Sequence, residues 1–182
     1  MRRTSGIILV PLAAAASPVA YAIVYLTVEQ AQQLMFAGQT LTPFPLTLSP
    51  EQSAAIEHES GVKVFAGSLR AWKTAAGGYF FTDSVIGKHD LINYAVGMGS
   101  DGRIKQVEVL EYREAYGGEV RGAPWRSQFV GRQHGDPVRV GRDIKNISGA
   151  TLSCAHVTDG IRRLLATYAI AIAPASQPPR GT

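Results

Sequence analysis

The sequence predicts an α+β domain in which helices pack on an antiparallel sheet of about five strands. Three observations support this class: two helix start signals come first, consecutive strand-like segments follow, and a long amphipathic segment ends the pattern. The chain has 182 residues, 46% of them hydrophobic and 18% charged, which suits one domain with a continuous core. A doubly wound nucleotide-binding fold is disfavoured, because the strands are consecutive and no Gly-x-Gly-x-x-Gly motif follows one of them.

The N-terminal residues have the three parts of a secretory signal. Two arginines precede an apolar stretch at 7–16, and the tripeptide Ala20-Tyr21-Ala22 fits a cleavage site. We therefore expect that residues 1–22 are a signal peptide and that the chain is exported to the periplasm or another extracytoplasmic space. The alternative is an uncleaved membrane anchor to about residue 26, because residues 6–26 are almost wholly apolar.

Two capping-box motifs predict the first helices. Thr27 begins the motif Thr-Val-Glu-Gln of a short helix that runs towards Phe36, and Ser49 begins Ser-Pro-Glu-Gln of a second helix that ends at Gly61. The residues between them, 40–48, contain two prolines and are interpreted as an extended connector.

Five segments rich in β-branched and aromatic residues follow, separated by glycine-containing turns. The Asp-Gly pair at 101–102 is the clearest hairpin turn. The predicted strands are 62–66, 69–73, 79–86, 91–98 and 104–112.

The C-terminal part predicts two helices and a tail. Residues 125–130 form a short helix, and residues 152–172 form a long one with apolar side chains spaced along one face. Residues 173–182 are rich in proline and are expected to be disordered, so that the folded domain is 27–172.

Composition and residue spacing disfavour several classes of function. The net charge of +4 includes two arginines of the N-terminal segment, and no clustered basic face suggests binding to nucleic acid. A single cysteine, Cys154, and four scattered histidines argue against a metal site. His89-Asp90 and His134-Gly135-Asp136 are interpreted as turns, since no nucleophile motif accompanies them.

The run Ser148-Gly149-Ala150-Thr151 stands directly before the long helix. A helix N-terminus offers unpaired N–H groups and the positive end of the helix dipole, which stabilise a phosphate. Gly149 permits unusual backbone angles, Ala150 leaves room for approach, and Thr151 supplies a hydroxyl. The alternative is an ordinary helix entry in which Ser148 or Thr151 is the N-cap.

The same run, followed by Leu152 and Ser153, resembles the flavinylation motif of the FMN-binding domain family. Three earlier segments resemble that family in the right order: the hairpin at 94–110, the loop Glu114-Ala115-Tyr116-Gly117 and the segment 125–132. The resemblance implies that a flavin transferase joins FMN to Thr151 through a phosphoester.

The resemblance also implies a set of cofactor-binding residues. Ser148, Gly149 and Ala150 surround the attachment point, and Glu114 and Tyr116 belong to the family loop. Tyr116, Trp125 and Phe129 are candidates for stacking on the flavin ring, although core packing is the ordinary role of such residues. Lys145 is a candidate for charge stabilisation and stands where family motifs usually carry an acidic residue.

The function implied is that of an extracytoplasmic electron-transfer flavoprotein, an electron carrier rather than a stand-alone oxidoreductase. Its partners are expected to be membrane or periplasmic redox proteins, and the N-terminus allows association with the membrane. The alternatives are an anion- or flavin-binding module without redox function and an FMN-dependent reductase of a small substrate.

Overall fold

The computed structural model describes residues 23–65, 69–114 and 116–173. Within them, six antiparallel strands form one sheet with the order β1-β6-β5-β4-β3-β2. The strands are β1 (Ile23–Val24), β2 (Leu41–Phe44), β3 (Arg70–Thr74), β4 (Tyr79–Ile86), β5 (Leu91–Met98) and β6 (Ile104–Tyr112). The predicted α+β class is confirmed, with one strand more than the sequence suggested.

Four α-helices accompany the sheet: α1 (Val28–Met35), α2 (Pro50–Ser60), α3 (Ala123–Arg126) and α4 (Thr151–Thr167). A π-helical segment, Tyr168–Ile172, continues α4, and short 3-10 turns flank α3. The helices of the described residues are all too short or too polar to cross a membrane. The predicted signal peptide or anchor lies outside the described residues, as does the predicted tail beyond residue 173.

The first two helices begin as the capping boxes predicted. The side chains of Thr27 and Ser49 accept hydrogen bonds from the N–H groups of Gln30 and Gln52, and both glutamine side chains accept in return from the cap backbone. Gly61 ends α2 in the left-handed conformation that only glycine adopts without strain. Local sequence alone therefore determines these boundaries.

Two expectations for the sheet were wrong. Residues Leu41–Phe44 are not a mere connector, because they form edge strand β2. This strand pairs with β3 in antiparallel orientation, with Leu41 opposite Thr74. An edge strand bonds on one side only, so Pro43 can be accommodated. Residues 62–65 are not a strand, and the sheet instead gains β1, whose Ile23 pairs with Tyr112.

The main core lies between the sheet and α4. Tyr94, Val96 and Val109 of the sheet pack in one cluster with Val157 and Ile161 of the helix. The apolar positions predicted for the long helix are indeed buried. A smaller cluster on the other face of the sheet joins α1 to Phe80, Ala95 and Leu110.

One buried ion pair joins the sheet to α4 inside the main core. Arg163 lies 2.5 Å from the Asp83 carboxylate, and the Tyr94 hydroxyl donates to the same carboxylate oxygen at 3.0 Å. Gly160 makes room for this arrangement, since an added Cβ would lie 2.8 Å from Val85 and would clash with the Tyr94 hydroxyl. Removing one partner would leave a buried charge unpaired, which makes this contact a strong constraint on where α4 lies.

The two ends of the sheet carry different connections. The β4–β5 turn at 87–90, the end of β6 at Tyr112 and the start of β1 at Ile23 share one end, as the register of the pairs requires. The hairpin turn at 99–103 lies at the other end. Helix α4 runs between them, with His156 bonded to Gly87 and Tyr168 bonded to Ser100.

Candidate functional site

Helix α4 begins without a side-chain cap. Ala150 is the N-cap residue, and neither Ser148 nor Thr151 accepts a hydrogen bond there, so the ordinary helix entry considered above was wrong. Gly149 has φ +86° in the left-handed region, and an added Cβ at this position would meet nothing within 4 Å. The backbone turn before the helix is therefore open to solvent on the side of Gly149.

The first turn of α4 has the features of an anion site. It contains no acidic residue, and its first N–H groups receive no side-chain cap. Thr151 is the first helical residue, and its side chain is exposed. A phosphate bonded to this hydroxyl would stand next to free N–H donors and the positive end of a helix of 17 residues.

The Thr151 hydroxyl has one described side-chain partner. Asn146 donates from Nδ2 to Thr151 Oγ1 at 3.0 Å, across the turn formed by Ile147, Ser148 and Gly149. Because the amide donates, the hydroxyl hydrogen of Thr151 remains available. The contact holds the oxygen in a defined position at the surface.

The loop after β6 packs against the start of α4. An added Cβ at Gly117 would lie 3.4 Å from Ala150 Cα and 2.9 Å from Ser153 Oγ, so the two segments are in close contact. Tyr112 connects them, because its hydroxyl donates to the Tyr116 carbonyl and lies 2.8 Å from Ser153 Oγ. Since that proton is used, Ser153 is the donor in the second bond.

Tyr116 is the most exposed large side chain of this region, with 86% of its surface accessible. Its backbone is held by Tyr112 and followed by Gly117, so the ring projects from a fixed loop beside the start of α4. Of the three aromatic residues proposed to stack on a flavin, this one has a free face.

Glu114, which the resemblance placed among the cofactor-binding residues, contacts the backbone of the β4–β5 turn. Its carboxylate accepts from the backbone N–H groups of His89 and Asp90 in the β4–β5 turn. Partial burial acts to raise the pKa of Glu114, but these hydrogen bonds outweigh it and the pKa lies below its ordinary value. Glu114 therefore ties the loop to the neighbouring turn, and His156 Nδ1, 2.9 Å from Gly87 O, ties the same turn to α4.

Trp125 and Phe129 lie in the core rather than at the surface. Phe129 is fully buried and meets Trp125 edge to face at 5.1 Å, so neither ring offers a face for stacking in this structure. Trp125 acts on the site indirectly, because its indole N–H donates to the Lys145 carbonyl at 2.8 Å. Gln128 accepts from the Lys145 N–H at 2.8 Å, so the backbone leading to Thr151 is fixed on both sides.

The structure thus brings the Ser148–Thr151 run together with Gly117 of the loop. Lys145 is exposed and directly precedes Asn146, the residue that bonds to Thr151. Sequence reasoning missed three contributors: Asn146, Tyr112 and Gln128. Asn146 could have been found from its place five residues before Thr151, opposite a tight turn. Tyr112 and Gln128 act through folded contacts that no local pattern reveals.

One comparison with known proteins gave a match. Residues 87–166 match the family model described as FMN-binding domain. No curated protein and no solved structure gave a match to the chain. The matched range begins in the β4–β5 turn, ends near the end of α4 and contains every candidate site residue.

Proposed function

We propose, from the match of residues 87–166 to the model of the FMN-binding domain family, that the chain is an extracytoplasmic electron-transfer flavoprotein with FMN joined to Thr151 by a phosphoester. The match supports a flavin-binding protein with FMN as its cofactor. The covalent bond, the electron-transfer role and the location outside the cytoplasm are our proposals.

The observation that carries the proposal is the state of Thr151. Its hydroxyl is exposed, is held by Asn146 and stands at an uncapped helix N-terminus. Thr151 is the first helical residue and Ala150 is the N-cap, so the Thr151 hydroxyl is not used to cap the helix. The residues therefore fit a phosphate esterified at Oγ1, because backbone donors and the helix dipole face the remaining phosphate charge.

The protein's own part in the chemistry is to fix the cofactor and keep it accessible. When bound, FMN supplies the capacity to accept and donate one or two electrons. Thr151 has no redox activity, so its role is that of a tether, which prevents loss of the cofactor by dissociation in a dilute compartment. Tyr116 provides an exposed aromatic face in the loop that packs against the start of α4, and Lys145 provides an exposed cation six residues before Thr151.

Mass spectrometry of the intact and digested protein tests the tether. The chain is produced with a flavin transferase in the compartment to which it is exported, and we expect one FMN mass on the peptide that contains Thr151. Thr151→Ala should remove that mass completely, whereas Thr151→Ser keeps a hydroxyl and should retain part of it. An unmodified wild-type peptide, or a modified Thr151→Ala chain, would reject the proposal.

Spectroscopy separates the proposed carrier from its alternatives. A carrier is yellow, keeps its flavin after denaturation, and is bleached and recoloured by chemical reductants and oxidants. A binding module without redox function would be colourless or would not be reduced. A reductase would consume a small substrate in repeated turnovers without a protein partner, which a carrier does not do.

A further inference from the structure

Four cationic side chains lie in the segment 132–145, which leads to the proposed attachment point. They are Arg132, Arg139, Arg142 and Lys145, and none of them forms an ion pair within the described parts of the chain. Arg132 is half-buried, and the other three side chains are exposed. Cations without acidic partners attract negatively charged molecules when the fold holds them in one place.

A closed turn holds two of these arginines together. The Arg139 carbonyl accepts hydrogen bonds from the N–H groups of Arg142, Asp143 and Ile144, at distances of 3.3, 3.2 and 3.1 Å. The Gly141 N–H donates in turn to the Ile144 carbonyl at 2.9 Å. Arg139 and Arg142 therefore belong to one fixed turn, which we call the basic turn and which comprises residues 139–145.

The acidic residues of the segment do not neutralise the basic turn. Asp143 Oδ1 accepts from the Arg139 N–H at 3.2 Å, and Asp143 Oδ2 is buried. Asp136 Oδ2 accepts from the Gln133 N–H at 3.0 Å. Arg132 lies against the turn, because its guanidinium donates to the Asp143 carbonyl at 3.5 Å. Since four cations outnumber two carboxylates that backbone groups hold, the segment keeps a net positive charge.

A hollow of about 280 Å³ lies against the basic turn, and Arg139 and Arg142 both line it. Arg162 also lines it, but its guanidinium is already bonded to an aspartate and to two backbone carbonyls. Of the acidic residues in the lining, Asp136 is held as described above, and Glu59 lies 3.5 Å from a histidine. Two guanidinium groups without ion pairs thus line a concave space that is large enough for a carboxylate side chain.

Lys145 connects the basic turn to Thr151. Its carbonyl accepts from the Trp125 indole, and its N–H donates to Gln128, both at 2.8 Å. The next residue, Asn146, donates to Thr151 Oγ1 at 3.0 Å. Because consecutive Cα atoms are about 3.8 Å apart, the Lys145 Cα lies within about 11 Å of the Thr151 hydroxyl oxygen.

The chemistry of the basic turn favours an acidic protein as its partner. Arginine binds carboxylates through two parallel hydrogen bonds, and complementary charge accelerates the encounter of two proteins. Electron-transfer partners form small, short-lived contacts, for which such attraction is better suited than a large apolar interface.

We propose that the basic turn is the docking surface for the acidic face of a redox protein, whose carboxylates bind to Arg139 and Arg142. This inference rests on the proposed electron-transfer function, because it names the partner that would exchange electrons with a flavin on Thr151. The charges belong to the folded domain, however, so docking itself does not require the flavin.

Binding of a charged redox protein to the full chain tests this surface without the flavin. The chain is Thr151→Ala, which has no hydroxyl to modify, and the probe is a plant-type ferredoxin, an acidic protein, that carries a fluorophore. Fluorescence anisotropy measures the Kd. We expect the Kd to rise about tenfold between about 20 mM and about 200 mM salt, because ions screen the attraction.

A triple variant in the same Thr151→Ala chain removes the exposed cations of the turn: Arg139→Gln, Arg142→Gln and Lys145→Gln. We expect the Kd at low salt to rise about tenfold and to become nearly independent of salt. The matched control removes the same charge from exposed residues of β3, the β4–β5 turn and β6: Arg70→Gln, Lys88→Gln and Lys105→Gln. Its Kd should stay close to that of the parent chain, and circular dichroism should show that both variants are folded.

Three outcomes would overturn the proposal. The first is a Kd that neither salt nor the triple variant changes, or equally tight binding of a basic cytochrome c. The second is an equal loss of affinity in the control variant, which would assign the effect to net charge. The third is tighter binding of a short DNA duplex through the same three residues, which would identify nucleic acid as the occupant. Because this chain carries no flavin, none of these results depends on whether Thr151 is flavinylated in the wild type.

Discussion

The hydroxyl of Thr151 depends on one neighbouring amide. Asn146 bridges the turn before α4 and donates to Thr151 Oγ1 at 3.0 Å, while the backbone of Lys145 is held by Trp125 and Gln128. The side chain that carries the proposed modification is therefore positioned by residues that would not themselves contact a flavin. Its orientation is a property of the turn, not of threonine alone.

We predict that Asn146→Ala slows the attachment of FMN to Thr151 without unfolding the domain. Loss of one hydrogen bond that orients the hydroxyl corresponds to about 1 kcal/mol, so the rate should fall about five- to tenfold. The measurement is a time course of the flavinylated mass with purified transferase. Asn146→Gln, which keeps an amide donor, should restore part of the rate.

Arg142→Ala is the control, because Arg142 is exposed in the same loop and its side chain has no described contact. The unfolding midpoint in urea should be the same for the wild type and all three variants. A rate for Asn146→Ala equal to that of the wild type would show that the amide does not position the acceptor.

At the residue scale, the sequence could single out Thr151 as the proposed attachment point because the motif is local. It could not predict that Trp125 and Phe129 are buried together, since an aromatic residue in a short helix fits a core and a binding surface equally well. Nor could it assign Glu114, whose partners lie about 25 residues earlier in the β4–β5 turn.

The uncapped start of α4 is a feature of the whole helix. Four N–H groups at a helix N-terminus lack intrahelical partners, and a negative charge there is stabilising. Thr151 occupies the first helical position and is exposed, so a charge introduced at this residue tests the N-terminus without disturbing the core.

We predict that Thr151→Asp is more stable than Thr151→Asn by about 0.3–1 kcal/mol at pH 7 and low salt. The two side chains have nearly the same shape, so the difference isolates the charge. Urea denaturation measures it, and high salt or protonation of the aspartate should remove it. Equal stabilities at low salt would mean that the N–H groups are not available to an anion.

The β4–β5 turn and the loop after β6 form a second element, joined by Glu114. The pKa of this carboxyl is lowered by the N–H groups of His89 and Asp90, against the effect of partial burial. A carboxyl with a lowered pKa stabilises the folded state at pH values above its ordinary pKa of 4.5, and this contribution disappears as the pH falls through the folded-state value.

We therefore predict that the difference in unfolding free energy between the wild type and Glu114→Gln is largest near pH 7 and shrinks below about pH 4.5. Denaturation curves between pH 3 and pH 7 measure this difference, and subtracting the two chains cancels the other carboxyl groups. A difference that stays constant with pH would contradict an ionised Glu114 in this contact.

At the element scale, most ends of the helices and strands could be predicted from the sequence. The capping boxes at Thr27 and Ser49 and the Asp-Gly turn encode their conformations locally. The three long strands, β4, β5 and β6, are rich in β-branched and aromatic residues. Strand β2 was missed because two prolines suggested a connector, and residues 62–65 were misassigned because β-branched residues also occur outside sheets. Edge pairing is decided by tertiary contacts.

The whole molecule is proposed to work outside the cytoplasm, which depends on the apolar stretch 7–16. We predict that a reporter enzyme active only after export, fused after Thr182, is active with the wild-type chain and inactive with Val10→Arg. An arginine at the centre of an apolar segment costs about 2.5–3.5 kcal/mol for insertion. Activity of the reporter is measured in intact cells.

Thr4→Arg is the matched control, since it adds the same charge to the basic region before the apolar stretch and should preserve export. Equal reporter activity in Val10→Arg and the wild type would show that this stretch does not direct the chain out of the cytoplasm. Loss of activity in both variants would indicate a general effect of added charge.

The strand order has a consequence for how the chain folds as it emerges, N-terminus first. Strands β2 to β6 are neighbours in both sequence and sheet, so each can pair as soon as the next one emerges. Strand β1 is different, because Ile23 must wait for Tyr112, which is synthesised much later. Thr151, the proposed acceptor, comes later still in the chain, so a flavin transferase would meet it only after almost the entire domain has emerged and folded.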